Sequence, residues 1–420
     1  MNMKKVKLCT VLDIKRGTSL SGEYYATTGK YIRLTLGNFK YPDSGWKNNT
    51  SKDDIYFIGP VRKEFILKQG DIITPLTEQV RGLLGNTATI PESDRYIQSG
   101  DIGLVIPNEN ELDKRYAYYL LSSGVVKKQL DAGSQQTKIR HTSPDAIKNC
   151  YAYVLEKPEQ IKVAKMLDDI NSKIEVNNRI NDNLQQLMRL LYNEFFIQYR
   201  IDGNYISDLV FNDKLNRYIP RKWEVHALDK LILEITTGLN PRDNFTLTSS
   251  GYKYITVKNL DSNGALNFNG CDCVDENAKE QIQKRAKVSK GDILFASITP
   301  LGRCFAVLDN PKDWVINESV FCVKPKDISL QAYLYLFLTS DYFVKKAENS
   351  SAGSIFSGIR ISTLNSIYTI VPSKETINSF NEKVIPILRK IDFINQENNK
   401  LISMRDELLP LLMNGQISIS

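Results

Sequence analysis

Histidine is almost missing from this chain: of 420 residues, only His141 and His226 carry an imidazole. Metal sites and catalytic triads built on clustered histidine therefore have little material. His141, next to Arg140 in "KIRHTS", reads as a surface residue. Long apolar runs are missing too, since none approaches the roughly 18–20 residues that span a bilayer. The opening "MNMKKVKLCTVLDIKRG" has lysines but no apolar core, unlike a secretory leader. Six cysteines are scattered, with only Cys271 and Cys273 close together and no second pair to complete a zinc site. Free thiols in a reducing cytoplasm, and no metal, are the expectation. "GEYYATTGK", from Gly22 to Lys30, has six residues between its glycines where a phosphate-binding loop has four. No G-x-G-x-x-G stands between a strand and a helix. The chain reads as non-catalytic and without a cofactor of its own.

What is present comes twice. "LKQGDII" at 67–73 and "VSKGDIL" at 288–294 set Gly70 and Gly291 221 residues apart, and "VLDIKRG" and "LILEITTG" set Gly17 and Gly238 the same 221 apart. "YAYYLLSSGVVKK" (116–128) is matched by "YLYLFLTSDYFVKK" (333–346). "TKIRHTS" and "SGIRIST" align Arg140 with Arg360 at a separation of 220. "INDNLQQLMRLL" and "NNKLISMRDELL" align Leu184 with Leu401 at 217. Matches in one order, drifting by a few residues, mark a tandem duplication. Asp71 and Asp292, beside the repeated glycines, read as turn-shaping carboxylates rather than Mg²⁺ ligands.

Each half runs from short Val-, Ile-, Tyr- and Phe-rich segments broken by Gly, Asn, Pro and Ser, which predict strands, through a helix-forming stretch to a long segment almost free of glycine. The plan is a first domain over 1–157, a long helix over 158–200, a connector over 201–220, a second domain over 221–372 and a second long helix over 373–415. Pro158 suits a first helical turn, Ser373 a cap, and Gly203 and Gly415 helix stops. One helix carries the stripe Leu167, Ile170, Ile174, Leu184, Leu187, Leu191 and Phe195. The other carries Val384, Ile387, Ile391, Leu401, Met404, Leu408 and Leu412, each 217 after its counterpart. Asn181 and Asn398 interrupt the two stripes at equivalent places, either as register-fixing seam residues or facing solvent through a local shift. Such stripes predict antiparallel coiled-coil pairing of rods about 60 Å long, with an altered turn at Pro386. The expected fold class is α+β: two pseudo-twofold-related mixed α/β domains separated by two long antiparallel coiled-coil helices.

A net charge of +7 and a pI near 8.8 suit a polyanionic partner, and two like domains on a rod suit two DNA half-sites. "LNRYIPRKWEVHALDKLILEITTGLNP", "KGDILFASITPLGRC" and "KIDFINQENNKLISMRDELLPLLMNGQI" resemble the specificity subunit of type I restriction–modification enzymes over nearly the whole chain. The first helix departs from the family's closing pattern, ending "MRLLYNEFFIQYRIDG". The resemblance implies two target-recognition domains, each reading one half of a split site in double-stranded DNA. It also implies helices that set the spacer and bind two modification subunits, which use S-adenosylmethionine to methylate adenine N6. Restriction (motor-nuclease) subunits would complete the enzyme. Neither "NPRD" nor "NPKD" in this chain is the Asn-Pro-Pro-Tyr loop of such a methyltransferase.

Candidate DNA contacts are Lys40, Trp46 and Lys47 in "GNFKYPDSGWKNNTSK", Arg81 and Asn86 in "TPLTEQVRGLLGNT", and Ser297, Thr299 and Arg303 in "ASITPLGRC". Polar, glycine-containing loops of this kind bring backbone N–H groups and arginine to DNA. Arg140 and Arg360 join them as residues kept by both halves, though an ion pair between domains would also explain them. "YAYYLL" and "YLYLFL" read as helix core. The competing reading is a duplicated, non-catalytic scaffold that binds proteins and is basic by chance.

Overall fold

The computed structural model describes residues 3–133, 140–268, 270–351 and 358–417; Thr137, Lys138, Ile139 and Ser357 of the two aligned arginine segments lie outside them. Two compact units form: Met1–Ser172 with Ser403–Ser420, and Lys173–Ile402. Both boundaries fall inside the long helices, unlike the expected division into domains and separate rods. The cause is core packing. Val163, Ala164, Leu167, Leu412 and Met413 are buried in the first unit's core, and Met188, Tyr192, Phe195, Phe196, Val384 and Leu388 in the second's.

The same sheet is built twice. In the first unit an antiparallel sheet runs Leu12–Arg16, Ile102–Pro107, Ile72–Pro75, Ala88–Thr89. In the second it runs Ile232–Thr237, Val320–Pro325, Ile293–Ala296, Cys304–Ala306. Ile72–Pro75 and Ile293–Ala296 are buried at every position, so they show apolar runs rather than alternation. A smaller sheet in each unit contains a parallel pair, Tyr31–Arg33 with Tyr96–Ile97 and Tyr252–Ile255 with Trp314–Ile316.

The repeated Gly-Asp-Ile is the turn entering that buried strand. Gly70 and Gly291 take φ of +83° and +96°, a region that glycine enters without penalty. Asp71 Oδ2 accepts from the Lys68 N–H and Asp292 Oδ2 from the Ser289 N–H, both at 2.8 Å. Downstream, each Tyr-rich stretch breaks into two helices: Lys114–Leu121 and Gly124–Gly133, then Gln331–Leu338 and Asp341–Ser351. Tyr116 and Tyr333 are both 0% exposed, as helix core should be.

The long helices, Lys157–Phe196 and Lys374–Met413, have 40 residues each. Ser373 Oγ accepts from the Thr376 N–H at 3.3 Å and caps the second helix. Gly415, with φ +64°, ends it. Gly203 does not end the first. It turns the hairpin between Arg200–Ile201 and Asn204–Tyr205, while Tyr199 takes the positive φ after the helix. Pro386 is exposed and the helix continues through it, because its lost hydrogen bond lies on the solvent side. Among the described residues no helix is long and apolar enough to cross a membrane.

In the second unit the helices run antiparallel: Asn177 Nδ2 donates to Asn398 Oδ1 at 2.8 Å, and Asn181 Nδ2 to Asn395 Oδ1 at 2.7 Å. In the first unit Arg405 Nη1 donates to Asn171 Oδ1 at 3.4 Å. Asn181 and Asn398 are therefore seam residues, and neither faces solvent. Ile170 and Ile391 are buried, while Ile174, Leu184, Leu191, Ile387, Leu401 and Leu408 are half-buried along the stripes. Leu187 and Met404 are a correction: both point outward, at 44% and 46% exposure. A helix of 3.6 residues per turn drifts off a strict seven-residue stripe. Met188 and Tyr192 take the inward places that Leu187 does not.

Candidate nucleic-acid interface

A signal in the sequence that the repeat comparison passed over builds this surface. Thr35 and Asn38, and again Thr256 and Asn259 221 residues later, form short capping boxes in which Asn Oδ1 accepts from the Thr N–H at 2.9 Å. The loop that follows carries Lys40, Trp46 and Lys47 in the first unit. Asn38 continues the hold, accepting from the Lys47 N–H at 2.9 Å through its carbonyl, so an ordered backbone presents the exposed Lys47 side chain.

Asn86 is fully buried, and its amide donates to the Lys40 and Asp43 carbonyls at 2.9 and 3.0 Å while Lys127 Nζ donates to its Oδ1. Burial draws the Lys127 ammonium below its ordinary value, with Asp43 opposing. Asn86 therefore braces the loop and is not itself available to DNA. The Trp46 ring packs edge-on against Tyr96 at 4.8 Å and its Nε1 donates to Asn48. It is a wedge, not a stacking platform. Tyr41 donates its hydroxyl to the Arg81 carbonyl at 2.8 Å, joining this loop to the one after the Gly-Asp-Ile strand.

That second loop wraps around the buried Glu78, whose Oε2 accepts from the N–H groups of Gly82, Leu83 and Leu84 at 2.9–3.0 Å. Arg140 Nη1 lies 2.9 Å from Glu78 Oε1 and 2.7 Å from Asp131 Oδ1. The exposed Arg81 binds the other Asp131 oxygen at 2.8 Å. Arg81 and then Arg140 hold the Asp131 carboxyl at about 2, far below its ordinary value.

The second unit repeats the frame with other side chains. Arg303 Nη1 donates to the Leu260 carbonyl at 3.3 Å, again joining the two loops. Burial raises the Asp261 carboxyl and Arg303 partly offsets it. Ser297 is buried and its Oγ donates to the Ser319 carbonyl, while Thr299 is exposed. Arg140 and Arg360 are not equivalent. Arg140 pairs in a strand with Glu78, next to the His141–Thr77 pair. The matching bridge in the second unit joins Ile298 to Gly358. Arg360 instead sits at the N-cap of Ile361–Ser366, the place that Ser143 holds before Pro144–Lys148. Its exposed guanidinium has no partner among the described residues.

Residues 1–186 and 220–403 match the type I restriction modification DNA specificity domain. The chain belongs to this family. It is 23% identical over 321 residues to the MjaIX specificity subunit of Methanocaldococcus jannaschii, covering 75% of this chain and 71% of that one. It is also 23% identical over 416 residues to the HindI specificity subunit of Haemophilus influenzae, covering 85% and 89%. In fold it is similar to the crystal structure of a type I restriction-modification system S subunit from M. genitalium, with a TM-score of 0.58 at 17% identity, covering 100% and 97% of the two chains. Specificity-domain membership is consistent with the doubled sheets and the paired helices.

Around the second unit's part of the first long helix, Val176, Ile180, Leu187 and Leu190 are exposed on the face away from the seam. At its end lies a cavity of about 430 Å³, lined among others by Arg189, Tyr192, Arg217, Phe337 and Tyr342.

Proposed function

We propose that this chain is the DNA-reading subunit of a type I restriction–modification complex, non-catalytic in itself and working in the cytoplasm. Each unit reads one half of a bipartite site in double-stranded DNA. The paired helices set the unspecified gap and dock two modification subunits, which bind S-adenosylmethionine and methylate adenine N6; restriction subunits complete the assembly. The observation that carries this reading is the duplication of one two-loop frame, after the capping box and after the Gly-Asp-Ile strand, in both units. Lys47 in the first unit and Arg360 in the second are the best-presented cations for phosphate or base contact, and Lys40, Arg81 and Thr299 are exposed as well. The outward Val176–Leu190 stripe supports helix docking, since an apolar stripe of that spacing fits a partner helix.

The test lengthens the rod. One heptad is inserted after Arg179 and one after Gln396, between the two asparagine contacts, so that Asn177–Asn398 and Asn181–Asn395 both survive. Seven residues add about 10 Å, or roughly three base pairs. Mapping of N6-methyladenine in cells carrying the full system should return both original half-sites with a longer gap. Twisting the DNA by that amount weakens activity. An unchanged gap, or altered half-sites, sinks the reading.

A further inference from the structure

We propose that the long helices do more than space the recognition loops: they hold them, and Arg405 of the second helix is a positioning residue for the half-site read by the first unit. The proposal rests on the reading that the Lys40–Lys47 loop touches DNA.

Arg405 lies outside every segment from which DNA contact is expected. Its side chain is nevertheless only 13% exposed, with Nη2 3.0 Å from Asp43 Oδ1 and 2.7 Å from Asp406 Oδ1. Its other nitrogen donates to Asn171 Oδ1 on the first long helix. Burial works against its charge, yet Asp43 and Asp406 outweigh it and hold the guanidinium above its ordinary value. Asp43 stands midway along the loop, between Lys40 and Lys47. On the other side, Asn86 holds the carbonyls of Lys40 and Asp43, and the Thr87 carbonyl accepts from the Gly45 N–H at 2.8 Å. The loop is thus clamped between the domain and the helix. Arg405 is its charged contact on the helix side.

The second unit does the same thing with different chemistry. Gln185 of the first helix is 7% exposed, and its amide donates to the Asn263 carbonyl at 2.8 Å and to the Tyr335 hydroxyl at 3.2 Å. Asn399 of the second helix donates to the Leu266 carbonyl at 3.3 Å. Asn263 and Leu266 belong to the loop after the second capping box. Gly264, with φ +67°, passes so close that a Cβ there would strike Tyr335 and Gln185. A helix-to-loop tether at the same place in both units, made by side chains that are not sequence counterparts, points to selection for the tether itself. An ion pair is suited to the task, because it fixes a loop without committing a backbone group.

The test uses the full chain assembled with its modification partner. The methylated motif is mapped first. Binding is then measured by competition between duplexes with the intact motif and duplexes with single changes in either half. Lys47→Ala identifies the half read by the first unit. In that half, Arg405→Ala and Asp43→Asn should each lower the preference for matched over mismatched duplexes by about three- to tenfold, part of the discrimination that a single base pair carries. The double variant should lose no more than one single, and Arg405→Lys should recover most of the preference. The other half should be unchanged. Asp43→Asn is the gentler variant, since it leaves Arg405 paired with Asp406, and thermal melting confirms that each variant folds. Equal loss in both halves, or weaker binding with unchanged discrimination, overturns the proposal. If Lys47→Ala leaves both halves untouched, the reading of the loop as a DNA contact fails, and the proposal fails with it.

Discussion

The seam between the long helices allows a prediction of opposite signs from one pair of residues. Asn181 and Asn395 share a single hydrogen bond of 2.7 Å, and the remaining Asn181 Oδ1 and Asn395 Nδ2 are buried without a partner. Asn181→Leu removes the bond, a net loss of about 1 kcal/mol, and leaves all of Asn395's amide unpaired at about 1–3 kcal/mol more. Burying a leucine returns about 2 kcal/mol, so the single variant should be less stable by about 1 kcal/mol. Asn181→Leu with Asn395→Leu removes both orphaned atoms and packs two apolar side chains together. It should be more stable than the parent by about 2 kcal/mol, as replacement of buried polar pairs often is. For a unit of this size, 1 kcal/mol moves the melting temperature by about 2–4 °C. The single should therefore melt a few degrees below the parent and the double about 4–8 °C above it. Thermal and urea melts of the full chain measure both. If the double variant melts below the parent, the asparagine pair contributes net stability and the reasoning is wrong. The expected cost of the stable double is specificity of pairing, because a polar seam residue penalises shifted registers.

Two further predictions concern the turn and the ion cluster. Gly70→Ala puts a Cβ into open space at φ +83° and should cost about 1–2 kcal/mol from backbone alone. Gly291→Ala also meets Ile328 at 3.0 Å and should cost more, and urea titrations of the two variants that reverse this order would contradict the account. The Asp131 carboxyl is depressed to about 2, so it adds stability that is present above its ordinary value near 4 and disappears as pH falls through about 2. The melting difference between parent and Asp131→Asn should be flat from pH 7 to about 5 and shrink below about 4; a difference that grows with acid would refute the pairing.

The duplication, the two long helices and the equivalence of Asn181 and Asn398 were legible in the sequence, because a repeat offset and a helical period are written directly in residue order; that both asparagines face inward was settled by the packing. Local chemistry was legible too: Asp71 and Asp292 beside glycine read as turn-shaping carboxylates, and each accepts a hydrogen bond from the N–H of Lys68 or Ser289. What residue order could not disclose was which polar side chains are consumed by folding. Asn86 and Trp46 looked like contact residues, but Asn86 is a fully buried brace and Trp46 is a packed wedge. Arg140 and Arg360 looked like one position and are two: Arg140 lies in a strand pair, and Arg360 stands at a helix N-cap, the place that Ser143 holds in the first unit. Arg405, Asp43, Gln185 and Asn399 drew no notice, because their partners lie far along the chain. Hydrogen bonds between residues separated by 362 positions in sequence depend on how the helices pack against the sheets. That arrangement is a property of the closed cores, and only the tertiary structure decided it.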